Sequence, residues 1–328
     1  MRRALSAVIL AVFIAGLPSY GWAKTYSRTE PVMETFVQVK VVPEKGKKTG
    51  KEVKSAVDEA FSLARDLEKK LSMFDPGSEV NALNLTGKKE VSPELFDVLK
   101  KAGKISEDTQ GAFDTTIAPI LKAKGFYNRL PEKILARIPR QTSGVGWENV
   151  VLSSDGKTVT LKGGAWIDLS GIAKGYIVDK MSQLLKSKGF TEHLVNAGGD
   201  IYCSEKGGEA WNVGLREPGT SNIVECLMVR NMAVATSGDY ENVVLDAETG
   251  EDLTHIADPA QKRVLSKKVS SVTVIAPICA EADALATAMM VMGREKALDF
   301  SDSRKDISAI VVDEEGIHAH SSSDVGRR

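Results

Sequence analysis

The stretch 166–202, WIDLSGIAKGYIVDKMSQLLKSKGFTEHLVNAGGDIY, constrains this chain more than any other. A short apolar segment, 165–169, reads as a strand that carries Asp168 to its end. Ser170-Gly171 turns it. Ile172, Tyr176, Val178, Met181, Leu184 and Leu185 then recur at helical spacing, so one face of a helix is buried. Gly189 stops that helix. Residues 193–195 begin a second strand, and Asn196-Ala197-Gly198-Gly199-Asp200 turns it. Free N–H groups at a helix start favour anions, phosphate above all. Lys174 adds positive charge, and Gly175 allows close approach to the backbone. An ordinary Ser-Gly turn inside a strand–helix–strand unit explains the same residues, so this stretch alone leaves both readings open. Neither G-x-x-x-x-G-K-[ST] nor G-x-G-x-x-G occurs in it.

The chain has 328 residues, enough for one large domain or two modest ones. Its formal net charge of −1 lacks the basic excess of a nucleic-acid binder. Arg2-Arg3, the apolar run 4–17 and Gly21-Trp22-Ala23 read as an export signal over 1–23, leaving Lys24 first in the mature chain. The apolar run falls short of the ~20 residues of a spanning helix. No cysteine stands near the cleavage point to carry a lipid. The expectation is a soluble periplasmic protein of residues 24–328. Cys203, Cys226 and Cys279 are far apart and form no C-x-x-C, which gives no support to a zinc or iron–sulfur site. An odd count leaves at least one thiol free, and small buried packing is the role expected of all three.

Along the chain, Val37, Val39 and Val41 alternate with polar residues, so 31–42 reads as a strand with one buried face. Residues 53–71 form a strongly amphipathic helix whose charges read as a solvated face. Ser78 suits the cap of a short helix over 79–83, and Ser92-Pro93 starts another. Gly111-Ala112-Phe113-Asp114-Thr115-Thr116 reads as a loop rich in donors and acceptors, or as a capped helix start. The polar, proline-bearing segment 122–143 reads as a surface excursion or lid. Residues 151–161 form a strand pair, and 209–215, 223–229, 272–276 and 307–312 read as strands. His255-Ile256-Ala257-Asp258-Pro259 reads as a loop. In the helix 281–293, Asp283 and Thr287 are four apart and share a face. That pair suits a hard cation such as Mg2+. A helix-dipole acid and a back-bonded threonine are the simpler explanation of the pair taken alone.

Several of these motifs together resemble those of the ApbE family, the FAD:protein FMN transferases. They are Ser78-Glu79-Val80 with Asn84, Gly111-Ala112-Phe113-Asp114, Asp168 through Tyr176, and Asn196 through Asp200. Thr236-Ser237-Gly238-Asp239-Tyr240, His255 through Pro259 and Asp283-Ala284-Leu285-Ala286-Thr287 complete the series. The resemblance spans nearly all of the mature chain. It implies an α+β fold, T-fold-like, with mixed sheets flanked by helices and FAD in a cleft between two lobes. It implies a Mg2+-dependent transfer of FMN, through its phosphate, to a threonine or serine of an exported flavoprotein, an Rnf- or NADH:quinone reductase-type subunit among them. AMP leaves. By the same resemblance Asp283 and Thr287 are metal ligands by side chain and Gly171 by its carbonyl. Met33, Phe74, Ala112, Phe113, Asp114, Asp168 and Lys174 contact FAD. His255 is a candidate general base or a pocket hydrogen-bonder. Glu34 stands where the family's M-G-T has glycine, and Phe74 where many members have tyrosine. A FAD pyrophosphatase releasing FMN and AMP, and a flavin carrier without turnover, remain alternatives on the same residues.

Overall fold

The computed structural model describes residues 25–320, apart from 45, 206, 219, 241, 247–248 and 268–270, together with 326–327. The expected export signal lies outside them. Strands and helices are numbered in chain order. An eight-stranded sheet runs β1 (Tyr26–Val32), β2 (Thr35–Val41), β6 (His193–Ala197), β7 (Asp200–Cys203), β10 (Met232–Gly238), β14 (Ser271–Ala276), β15 (Ser308–Asp313), β16 (Gly316–His320). Every pairing in it is antiparallel. Three small sheets surround it: β3 (Lys88–Glu90), β5 (Thr158–Leu161) and β4 (Val150–Leu152); β11 (Val244–Leu245), β12 (Asp252–Asp258) and β13 (Arg263–Ser266); β17 (Gly326–Arg327), β9 (Ile223–Val229) and β8 (Trp211–Arg216). The helices are α1 (Gly50–Leu71), α2 (Glu79–Thr86), α3 (Pro93–Asp108), α4 (Ala118–Ala123), α5 (Glu132–Leu135), α6 (Ala173–Ser187), α7 (Cys279–Met292) and α8 (Arg294–Ser303).

Both faces of the large sheet are covered, which is why β6, β7 and β14 are buried along their whole lengths. On one face Val37, Val39, Val195, Ala197 and Val274 join the main core with α1, α3, α6 and α7. On the other, Leu194, Ile201, Val234 and Ile275 pack under Trp211, Val213 and Leu227 of the β8–β9 ribbon. The alternation read from Val37, Val39 and Val41 is thus the α-side face of β2. The expected strand 31–42 spans a hairpin, because the chain turns at Met33 and Glu34, both with positive φ.

Three other expectations are corrected. Residues 165–169 are buried but form no strand with any of the described residues. The Asn84 side chain stands in for a neighbour: Ile167 N–H donates to Asn84 Oδ1 at 2.7 Å, and Asn84 Nδ2 donates to the Ile167 carbonyl at 2.8 Å. The segment 122–143 is not a lid. Tyr127, Leu130, Ile134 and Ile138 are buried in a third core with Met73, Trp166, Leu253 and Val264. His255 lies on a strand, β12, where the register with β13 shifts between Leu253 and Ala257. Such irregularities re-aim side chains. All three cysteines are free; Cys203 and Cys279 are buried, and Cys226 is half-buried.

Candidate functional site

The site is built where α6 meets α7. Neither helix carries a side-chain cap of its own, since Ile172 and Ile278 occupy the N-cap positions. Each caps the other. Asp179 on α6 accepts from the N–H of Cys279 at 2.8 Å and of Ala280 at 2.9 Å. Asp283 on α7 accepts from Gly175 N–H at 3.1 Å. The two helices are so close that a Cβ on Gly175 would lie 2.3 Å from the Cys279 carbonyl oxygen. The α6 N-terminus, which the sequence aims at a phosphate, therefore directs its Gly175 N–H at Asp283.

Lys174 Nζ lies 2.5 Å from Asp200 Oδ2 and 3.5 Å from Asp283 Oδ1. Burial opposes the ammonium charge, but the two carboxylates outweigh it and hold Lys174 above its ordinary range. Burial, and then Asp200, raises the Asp283 carboxyl; Lys174 and the Gly175 N–H pull the other way. Two carboxylates and one ammonium leave an excess of one negative charge when all are ionised, a setting that attracts a cation. One turn along α7, Thr287 Oγ1 shares a hydrogen bond of 3.2 Å with Ser237 Oγ of β10. A Cβ on Gly171 would stand 3.5 Å from Thr287 Oγ1 and 3.3 Å from Phe113 Cε2. The Gly171 backbone, the Thr287 hydroxyl and the Phe113 ring thus converge.

These groups line a cleft of about 490 Å³ whose walls come from the main core and from residues around α4. Asp283, Thr287, Gly171 and Lys174 lie along it with Phe113, Ala112, Asp114 and Asp168. Met33, Phe74 and His255 line it as well. The structure thus brings every sequence-predicted site residue to one cavity. Their engagement differs. Asp168 Oδ2 accepts from the Tyr127 hydroxyl at 2.5 Å and Oδ1 from Ser170 N–H at 2.8 Å. Asp114 Oδ1 accepts from Thr116 N–H and Oγ1 at 2.7 and 2.6 Å, so it shapes its own loop; burial raises its carboxyl. Met33 and Glu34 have φ of 58° and 55°, values that favour glycine, and Met33 N–H donates to Glu68 Oε1 at 2.9 Å.

Sequence reasoning missed Ser237, Tyr127, Glu68 and Asp200. Glu68, read as part of a solvated face, lines the cleft, and burial raises its carboxyl. Ser237 and Asp200 sit inside the motifs Thr236 through Tyr240 and Asn196 through Asp200, but only the folded pairing shows their partners. Tyr127 carried no signal in a segment read as surface.

Among the described residues no group of three or more His, Cys, Asp or Glu side chains could hold a metal. The donors at Asp283, Thr287 and Gly171 are of another kind: one carboxylate, one hydroxyl and one carbonyl, all hard oxygens. That set fits Mg2+, which favours few protein oxygens and keeps positions for water or phosphate.

Residues 33–311 match the model of the ApbE family. The FAD:protein FMN transferase of Vibrio cholerae is 28% identical over 98% of this chain and 98% of its own. That of Treponema pallidum is 31% identical over 88% of this chain and 85% of its own. The crystal structure of the ApbE protein of Thermotoga maritima superposes with a TM-score of 0.78 at 30% identity, covering 92% of this chain and 97% of that one. By sequence along most of its length and by its α+β architecture, the chain belongs to the ApbE family.

Proposed function

We propose that the protein is an FAD:protein FMN transferase. It splits the pyrophosphate of FAD and moves FMN, through its phosphate, to a threonine or serine of an exported acceptor flavoprotein. The observation that carries this reading is that Asp283, Thr287 and Gly171 line one cleft of about 490 Å³, within the range of ligand pockets, with the Gly171 backbone beside the Thr287 hydroxyl. Asp283 and Thr287 would hold Mg2+ by side chain and Gly171 by its carbonyl. Bound there, the cation would supply neutralisation of the charge on the pyrophosphate.

The other residues bind, orient and move a proton. Ala112, Phe113 and Asp114 contact the adenosine or flavin portion, Phe74 offers a ring for stacking, and Met33 lies at the flavin end. Asp168 and Lys174 complete the dinucleotide pocket, each fixed by its own partner, Tyr127 and Asp200. His255 takes the proton of the acceptor hydroxyl. The hydroxyl oxygen bonds to the phosphorus on the FMN side, the bond from that phosphorus to the bridging oxygen breaks, and AMP leaves with the electron pair. The acceptor is of the Rnf or NADH:quinone reductase type, and the protein acts in the periplasm after loss of residues 1–23. No helix among the described residues is long and apolar enough to cross a membrane.

The test mixes residues 24–328 with FAD, Mg2+ and a domain carrying an acceptor threonine. The expected result is fluorescent flavin that stays on the acceptor after denaturation. Free FMN and AMP with an unlabelled acceptor would assign hydrolysis instead, and unchanged FAD would assign a carrier.

A further inference from the structure

We infer that Asp179 is a positioning residue for the cation site, acting through helix α7. This rests on the reading of Asp283 and Thr287 as the Mg2+ ligands. Asp179 is buried and is not among the residues lining the cleft. Its carboxylate instead holds the first two N–H groups of α7, Cys279 and Ala280, across 100 and 101 residues of chain.

Two features make this bond more than a local cap. First, α7 has no other side-chain cap, because Ile278 stands at its N-cap. Free N–H groups at a buried helix start need a partner, and Asp179 supplies it. Second, the bond is one half of a reciprocal pair. Asp283, one turn into α7, returns a carboxylate oxygen to Gly175 N–H in the first turn of α6. Asp179 lies one turn further along α6 than Gly175, so the two contacts fix both the rotation and the axial register of one helix against the other. Gly171, just before α6, and Asp283 with Thr287, on α7, keep their spacing only while that register holds. Loss of a partner bonded to the ligand itself typically lowers metal affinity about 10–100-fold; Asp179 bonds the helix that carries the ligands and not the ligands themselves, so its loss falls at the low end of that range.

The test compares wild type with Asp179→Asn and Asp179→Glu. Mn2+ binding is read by the electron paramagnetic resonance of the free ion, and the Mg2+ dependence of FMN transfer is measured alongside. Asp179→Asn should remain folded by circular dichroism and weaken Mn2+ binding about 10-fold or more. Its rate at saturating Mg2+ should stay within about 3-fold of wild type, while the Mg2+ concentration for half that rate rises. Asp179→Glu, which keeps the charge, should recover part of the affinity. Wild-type Mn2+ affinity in a folded Asp179→Asn would overturn the inference. So would a fall in saturating rate with unchanged metal binding. If Asp179→Asn does not fold, Asp179→Ser, with one acceptor, takes its place under the same criteria; failure of all three variants to fold would also overturn it, since a purely structural role would then suffice. A wild-type protein that neither binds Mn2+ nor responds to Mg2+ would instead refute the metal reading itself.

Discussion

The Tyr127 hydroxyl donates to Asp168 Oδ2 at 2.5 Å across 41 residues of chain. Burial first, and then the Asp168 charge, raises the phenol above its ordinary range, so Tyr127 stays the donor. The bond ties the α4–α5 wall of the cleft to the turn that carries Gly171. Tyr127→Phe keeps the ring and removes the donor from a buried carboxylate. Unfolding free energy should fall by about 1–3 kcal/mol, and FAD should bind more weakly as the wall loosens. Denaturant unfolding and a flavin-fluorescence titration measure the two effects. Unchanged values in both would show that the wall is held by its apolar contacts alone.

Gly175 sets how closely α6 and α7 pack. The Cβ of Gly175→Ala would meet the Cys279 carbonyl carbon at 2.6 Å as well as its oxygen at 2.3 Å, and neither backbone atom can swing aside. Overpacking of this kind costs about 1–3 kcal/mol. Stability should drop by at least that much, with loss of metal-dependent activity as Asp283 is pushed from the Gly175 N–H. Gly50→Ala is the control. Nothing lies within 4 Å of its added Cβ, and it sits at the start of α1. That variant should be neutral or more stable by up to about 1 kcal/mol.

These two sites show what a sequence can and cannot disclose. The buried faces of α1 and α3 were legible because apolar residues recur there at helical spacing, as in Ala56, Ala60, Phe61, Ala64, Leu67 and Leu71. β1 was not, because the residues on its inner side include Arg28 and Glu30, which enter as an ion pair rather than as apolar side chains. Every candidate ligand at the cleft sits in a recognisable motif, so its presence could be read. Its partner could not. Asp179 and Cys279, Asn84 and Ile167, and Tyr127 and Asp168 meet only because the chain folds back over 41 to 100 residues. The compensation of Lys174 by Asp200 and Asp283 is of the same origin, and it makes a lysine read as positive charge for an anion the counter-ion of two carboxylates.

His193 makes stability depend on pH in a defined window. Its Nε2 is 2.8 Å from Ser182 Oγ and its Nδ1 2.8 Å from the Phe190 carbonyl, so the neutral ring donates from Nδ1 and accepts at Nε2. Burial lowers its pKa from 6.5 to about 4. Below pH 6.5 the unfolded chain takes up this proton and the native protein does not until about pH 4. The contribution is therefore complete above pH 6.5 and is lost as pH falls toward 4, by about 2 kcal/mol at pH 5. Asp179 works in the opposite sense, since burial pushes its carboxyl up to about 6 and acid relieves that cost. Comparing wild type with His193→Gln isolates the histidine. Between pH 7.5 and 5 the wild type should lose about 2 kcal/mol relative to the variant, read from urea unfolding at each pH. Parallel profiles would mean that His193 protonates as freely in the native protein as in the unfolded chain.

Asp283 should show stability and activity moving in opposite directions. Its carboxylate is buried near Asp200, and both burial and that neighbour disfavour its charge; the Lys174 ammonium at 3.5 Å only partly compensates. Without a cation the native state therefore carries a cost that a neutral side chain would avoid. Asp283→Asn keeps an oxygen for the Gly175 N–H, leaves Lys174 with Asp200 and removes the charge. The variant should unfold at the same temperature as wild type or a higher one, yet lose metal-dependent flavin transfer. Mg2+ separates this from a general change in rigidity. It should stabilise wild type by about 2.7 kcal/mol at 100 times its dissociation constant and leave Asp283→Asn unmoved. A variant that melts lower than wild type without Mg2+, or that gains equally from it, would place the cation elsewhere and make Asp283 a structural cap of α6.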